Sequence, residues 1–159
     1  MTALKRRILL ILGVVLLTIF LLPLSAIAGT LKPKTSPPPP EKTQAVSPLT
    51  TLYLSAWSSS ITQQGSNAVV LSGYSEADVP VNQIWVTLYL QQWNGSQWVT
   101  IAGGYQTTGQ DTTFVNGEQT VNVTPGYYYR AMGQHQVYNN GVYDPSQPEV
   151  STSADILVE

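Results

Sequence analysis

Two hydrophobic patterns divide the chain. Residues 8–24, ILLILGVVLLTIFLLPL, form an apolar run without a charge, whereas from Leu49 onward short apolar runs alternate with polar residues. Alternation with a period of two is the pattern of strands, whose successive side chains point to opposite faces. The runs are rich in Val, Thr, Tyr and Trp, recur every ten to fifteen residues, and are separated by Gly, Asn, Pro and Ser. They predict strands at 51–57, 68–75, 83–93, 97–106, 118–124, 127–138 and 153–158. No amphipathic helical pattern of useful length competes with them. The expected fold is all-β, an antiparallel sandwich of about seven strands.

The stretch QQWNGSQWVT, residues 91–100, places tryptophans on either side of Asn94-Gly95, a strong hairpin signal. Within 83–91 one face carries Ile84, Val86, Leu88 and Leu90, and the other carries Trp85, Thr87, Tyr89 and Gln91. A two-residue loop pairs Leu90 with Val99 and Leu88 with Ile101, and a four-residue loop pairs Leu90 with Ile101. Either loop groups Val99 and Ile101 with the aliphatic face, and Trp98 and Thr100 with Trp85 and Tyr89. The aliphatic face is expected to be core, because burying Gln91 and the threonines instead would strand polar groups. Trp85, Tyr89 and Trp98 then form an aromatic layer outside the core, with Gln91 and Arg130 as its polar contributors. Three roles are open to these rings: stabilising a sheet face through cross-strand contacts, stacking on a sugar or a partner, or lying beneath a segment such as the proline stretch.

The N-terminal third has a different character. Lys5, Arg6 and Arg7 precede the apolar run, Pro23 interrupts its end, and Ala26-Ile27-Ala28 offers small residues for cleavage before Gly29. Residues 1–28 are therefore expected to be a cleaved signal peptide, with an uncleaved membrane anchor as the alternative. No cysteine follows the run to carry a lipid. Residues 29–48 include Pro37-Pro38-Pro39-Pro40 and read as a proline-rich spacer of extended conformation. The domain itself is expected at 49–159.

One stretch of that domain bears a family likeness. In VTPGYYYRAMGQHQVYNNGV, Pro125-Gly126 followed by Tyr129 resembles the turn and tyrosine corner that open a strand in fibronectin type III and immunoglobulin-like domains. The resemblance covers about twenty residues. It implies an immunoglobulin-like sandwich in which the Tyr129 hydroxyl ties the turn to backbone, with an inward row of Tyr129, Ala131, Gly133 and Val137. The chain departs from fibronectin type III by lacking a tryptophan in its second strand, and from antibody domains by lacking the cysteine pair. Tyr129-Arg130, Gly133, His135, the Asn-Gly turn and the Ser/Thr-rich end are also similar to small, uncharacterised exported β-domain proteins of Gram-positive bacteria. That likeness implies an architecture and a compartment, and no activity.

Charge and composition narrow the chemistry. From residue 49 onward Arg130 is the sole Lys or Arg, against eight acids, which gives the domain a formal charge of −7. Such a surface repels phosphate backbones, so nucleic acid is not an expected partner, and the membrane is expected to be met only through an uncleaved N-terminal segment. The chain has no cysteine and one histidine, His135. Those residues supply neither a thiolate nor a set of zinc ligands, and no serine elbow accompanies His135 to suggest a nucleophilic triad. Strand parity puts His135 on the inward side near a strand end, as a satisfied, semi-buried histidine. Glu76 and Asp78 are the closest acids, on a turn-like segment with little apolar surface to raise a carboxyl pKa. A calcium site from Glu76, Asp78, Asp111 or Asp144 lacks a spaced acidic loop. Arg130 is expected to form an ion pair or a cation–π contact with its tyrosine neighbours. No catalytic residue, metal or cofactor is expected. The sequence reads as an exported, non-catalytic interaction or structural module at the cell surface or outside the cell, with cell-wall glycan or an extracellular protein as partner. The alternative is a carbohydrate-binding module using Trp85, Tyr89 and Trp98.

Overall fold

The structure, a computed structural model, describes residues 32–40 and 51–159. The expected signal or anchor segment, and the expected spacer apart from 32–40, lie outside the described residues. Six antiparallel strands are described: β1 (Leu54–Gln64), β2 (Ala68–Trp93), β3 (Trp98–Asn122), β4 (Tyr128–Asn139), β5 (Val142–Thr152) and β6 (Ile156–Leu157). They form one curled sheet in the order β1-β2-β4-β5, with β3 paired to β2 and β6 to β4.

β2 organises the curl. One of its edges carries β3 along most of its length, from Val69 opposite Val121 to Trp93 opposite Trp98. The other edge pairs first with β1, as in Val69 with Gln63, and then with β4, as in Ile84 with Val137. Between Glu76 and Val81 the register against β3 shifts, and exposed Asp78, Val79 and Pro80 mark the bend. Before it the fully buried aliphatic row is odd-numbered, Val69 and Leu71, and from Ile84 onward it is even-numbered, Ile84, Val86, Leu88 and Leu90. The bend turns both apolar rows inward, one over the other. A Cβ on Gly73 would lie 2.8 Å from Leu88 Cδ2, so the first half of β2 approaches the second as closely as only glycine allows. The core between the halves also takes Leu54 and Ile61 from β1, Val115 from β3, Tyr129, Ala131 and Val137 from β4, and Val158.

Several sequence expectations change. Runs 68–75 and 83–93 are one strand, as are 97–106 and 118–124, because the bends between them keep strand pairing. β5 was not expected: Pro145 and Pro148 argue against a strand, yet it lies at the end of the sheet order, where proline is tolerated. The last expected strand contracts to Ile156–Leu157. The Asn94-Gly95 loop has four residues, since Trp93 pairs with Trp98. Val99 and Ile101 are nevertheless 37% and 46% exposed, not core. Val99 lies opposite Gln92 near the hairpin tip. Ile101 is the extra residue of a bulge between Thr100, paired with Gln91, and Ala102, paired with Leu90.

The bond implied by the tyrosine-corner resemblance is present: Tyr129 Oη donates to the Thr124 carbonyl at 2.8 Å. The adjoining turn is held from two sides. Gly126 donates to the Val158 carbonyl at 2.8 Å and accepts from the Lys34 backbone at 2.7 Å. The Lys34 ammonium also lies 4.9 Å from the centre of the Tyr127 ring. At least this part of the proline-rich segment is thus fastened to the domain rather than standing free of it.

Candidate functional site

The aliphatic row of β2 faces the core, so alternation sends Trp85, Thr87, Tyr89, Gln91 and Trp93 to the other side of the sheet. β4 adds Arg130, Met132, Gln134, Gln136 and Tyr138, paired in register with that row. Trp85, Tyr89 and Trp98 thus share one outer face, together with Gln91 and Arg130. They do not form one cluster. Trp85 is eight residues of strand from Trp93, the partner of Trp98, a distance of about 27 Å.

Each end of the face has its own grouping. At one end Trp93 and Trp98 pack with ring centres 5.5 Å apart, and the Arg130 guanidinium lies over Trp98, 4.5 Å from its centre. Arg130 Nε donates to Gln91 Oε1 at 2.8 Å, which sets the fork over the indole. Gln91 in turn donates to Thr100 Oγ1 at 3.3 Å. A cation–π contact is present, but its ring is Trp98 across the sheet and not the neighbouring tyrosines that the sequence suggests. Trp93, which the sequence does not place, is only 6% exposed. At the other end Trp85 meets Tyr143 edge-on at 6.1 Å, and Tyr143 tilts against Tyr138 at 5.0 Å. Tyr143, on the unexpected β5, is 55% exposed and is the most open aromatic ring of this face. Midway, Tyr89 donates to Gln134 Oε1 at 3.2 Å. A side chain at Gly103 would run into the Tyr89 ring, so glycine there lets the ring lie across β3.

His135 is fully buried on the opposite, inward side of β4. Its Nδ1 is 2.9 Å from Ser75 Oγ and its Nε2 is 2.7 Å from Ser151 Oγ. Ser75 donates onward to the Trp85 carbonyl at 2.9 Å, so it accepts from Nδ1–H, which leaves Nε2 to accept from Ser151. Ser59 completes the relay, 3.0 Å from Ser151. Burial pulls the imidazole pKa down from 6.5 to about 4, and a bond to the Tyr74 carbonyl, which favours the protonated ring, offsets only part of that. A neutral imidazole held by Ser75 of β2 and Ser151 of β5, with Ser59 of β1 bonded to Ser151, fastens the two halves of the curl. The expectation of a semi-buried histidine near a strand end gives way to a core one.

Asp144 has a comparable role. Its carboxylate accepts from the backbone N–H groups of Leu52, Tyr53 and Leu54 at 2.6–3.0 Å. Burial alone would raise its pKa, but the three donors outweigh it and the pKa is lowered. Its oxygens therefore hold the entry to β1. No group of three or more potential metal ligands occurs among the described residues.

Fold and side chains together define an all-β antiparallel domain whose one histidine is buried in a serine relay and whose outer face is aromatic and amide-rich. The chain belongs to a protein family of unknown function, DUF6147, which matches residues 44–155. No curated protein matches it.

Proposed function

We propose that this chain is exported and works as a non-catalytic β-sandwich module, at the cell surface or outside the cell, docking an extracellular protein through the outer face of β2, β4 and β5. The curl supports the sandwich reading. β1, the first half of β2 and the second half of β3 make one layer, and the first half of β3, the second half of β2, β4 and β5 make the other. With the Tyr129–Thr124 bond, this partition is what an immunoglobulin-like domain requires. The basic start, apolar run and Ala26-Ile27-Ala28 support export.

The observation that carries the docking reading is the make-up of the outer face. Trp, Tyr, Met and Arg are the residues enriched where proteins meet. Here Trp85, Tyr89, Trp98, Tyr138, Tyr143, Arg130 and Met132 line one sheet face, and Val150 on the same side is 53% exposed. Glycan stacking on Trp85, Tyr89 and Trp98 is less well supported, because Arg130 already occupies one face of Trp98 and Trp93 flanks it.

Two measurements test the reading. Intact mass of protein from the culture medium should give a chain beginning at Gly29, and recovery only at full length from membranes would replace secretion with a stalked anchor. A photo-crosslinking amino acid at Val150 should give a discrete protein adduct on intact cells, and one at Gln64 should not. Equal labelling from both positions would sink the docking face.

A further inference from the structure

We propose that the other layer of the domain carries a second site, a groove for a neutral saccharide across β1, the first half of β2 and the second half of β3. The register assembles it. Ser58, Tyr74 and Asn116 lie side by side in one cross-strand row, and Ser60, Ser72 and Glu118 lie in the next. These residues alternate with core-facing Ser59, Gly73 and Gly117, so both rows point out of the domain. Phe114 stacks on Tyr74, with ring centres 5.8 Å apart and planes 26° from parallel. Beside this aromatic wall the serines are too short to fill the surface, and an open depression of about 250 Å³ results.

The chemistry of the lining selects the ligand. A sugar ring presents a C–H face and an edge of hydroxyls. Phe114, 47% exposed, offers apolar ring surface to the first. The hydroxyls of Ser58, Ser60 and Ser72 can each donate and accept, the Asn116 amide does both, and the Glu118 carboxylate accepts with a full charge. None of these five side chains makes a hydrogen bond to the protein among the described residues, so their capacity faces the groove. Successive rows are about 7 Å apart along the strand, roughly the width of one sugar ring. Glu118 and the domain charge of −7 disfavour acidic polysaccharides. A cationic ligand would use Glu118 and leave the hydroxyls without work. The groove lies on the layer opposite β4 and β5 and does not depend on the outer face.

The probes are cellotetraose and chitotetraose, titrated against the full-length chain and read by saturation-transfer NMR and calorimetry. Binding of at least one is expected. Phe114→Ala and Glu118→Ala should each weaken it ten-fold or more, and Ser72→Tyr, which fills the depression from an outward position, should abolish it. Trp98→Ala should stay within two-fold. Near-UV circular dichroism checks each fold, and Ser72→Tyr decides if Phe114→Ala is unfolded. Absence of binding to both probes overturns the groove. So does binding that Trp98→Ala removes and Ser72→Tyr leaves intact. The crosslink at Val150 is read separately, so the groove and the docking face can fail independently.

Discussion

The Tyr129 hydroxyl donates to the carbonyl of Thr124, five residues earlier, at 2.8 Å, while its ring is buried in the core. One side chain therefore both fills the space between the halves of the curl and fixes the turn that leads into β4. The two contributions separate by substitution. Tyr129→Phe keeps the ring and leaves the Thr124 carbonyl without this donor, which should cost about 1–2 kcal/mol. Tyr129→Ala also empties the core and should cost about 3–5 kcal/mol. Urea denaturation of both variants checks the difference. A Phe variant as unstable as the Ala variant would mean that the bond, rather than the ring, holds the turn.

Asp144 fastens the start of β1 to β5 through three backbone donors. Asp144→Ala leaves those N–H groups without their acceptor and should cost about 2–4 kcal/mol. Asp144→Asn retains one acceptor oxygen and should recover part of the loss. Because the folded pKa lies below the ordinary carboxylate value, this stabilisation is complete above about pH 4 and is lost as pH falls through the folded pKa. Hydrogen exchange at Leu54 should accelerate in both variants ahead of exchange at Val86. Unchanged protection at Leu54 would refute the anchoring role.

The parts legible in sequence were those written in local alternation. Ile84, Val86, Leu88 and Leu90 repeat with period two, and that row gave the core and, by exclusion, the outer aromatic face. The same parity misled at Val99 and Ile101, because a bulge at Ile101 depends on pairing geometry that residue types do not encode. The turn-like segment of Glu76 and Asp78 predicts a break between strands, but it is the bend of one strand. Pro145 and Pro148 hid β5, and with it Tyr143 and Val150. The serine groove was illegible for a different reason. Ser58, Ser72, Phe114 and Glu118 are distant in sequence, and only the pairing of β1, β2 and β3 brings them to one surface.

Arg130 couples both strands of the β2–β3 hairpin, near its tip, to β4. Its guanidinium covers Trp98 and donates to Gln91, so Arg130→Ala removes a cation–π contact and a charged donor on a half-buried face. The expected cost is about 1–2 kcal/mol, with a change in tryptophan emission as Trp98 gains solvent. Arg130→Lys retains charge without the planar fork and should restore less than half of the stability. An unchanged denaturation midpoint in Arg130→Ala would show that the contact contributes nothing to the fold.

His135 makes the domain sensitive to mild acid in a defined window. In the folded state the imidazole stays neutral down to about pH 4, whereas in the unfolded chain it takes a proton near 6.5. Below pH 6.5 the unfolded state therefore binds more protons, and stability falls with pH until the folded pKa is reached. A shift from 6.5 to about 4 corresponds to a loss of about 3 kcal/mol across that interval. Asp144 adds its own loss only at lower pH, so the two groups act in successive ranges. His135→Asn cannot titrate. It should be less stable at pH 7, because it cannot bridge Ser75 and Ser151 as the imidazole does, yet its stability should vary much less between pH 6.5 and 4. Denaturation midpoints of both proteins at half-unit pH steps give the comparison. Parallel curves would mean that the acid response comes from other groups and that the buried ring is not what sets it.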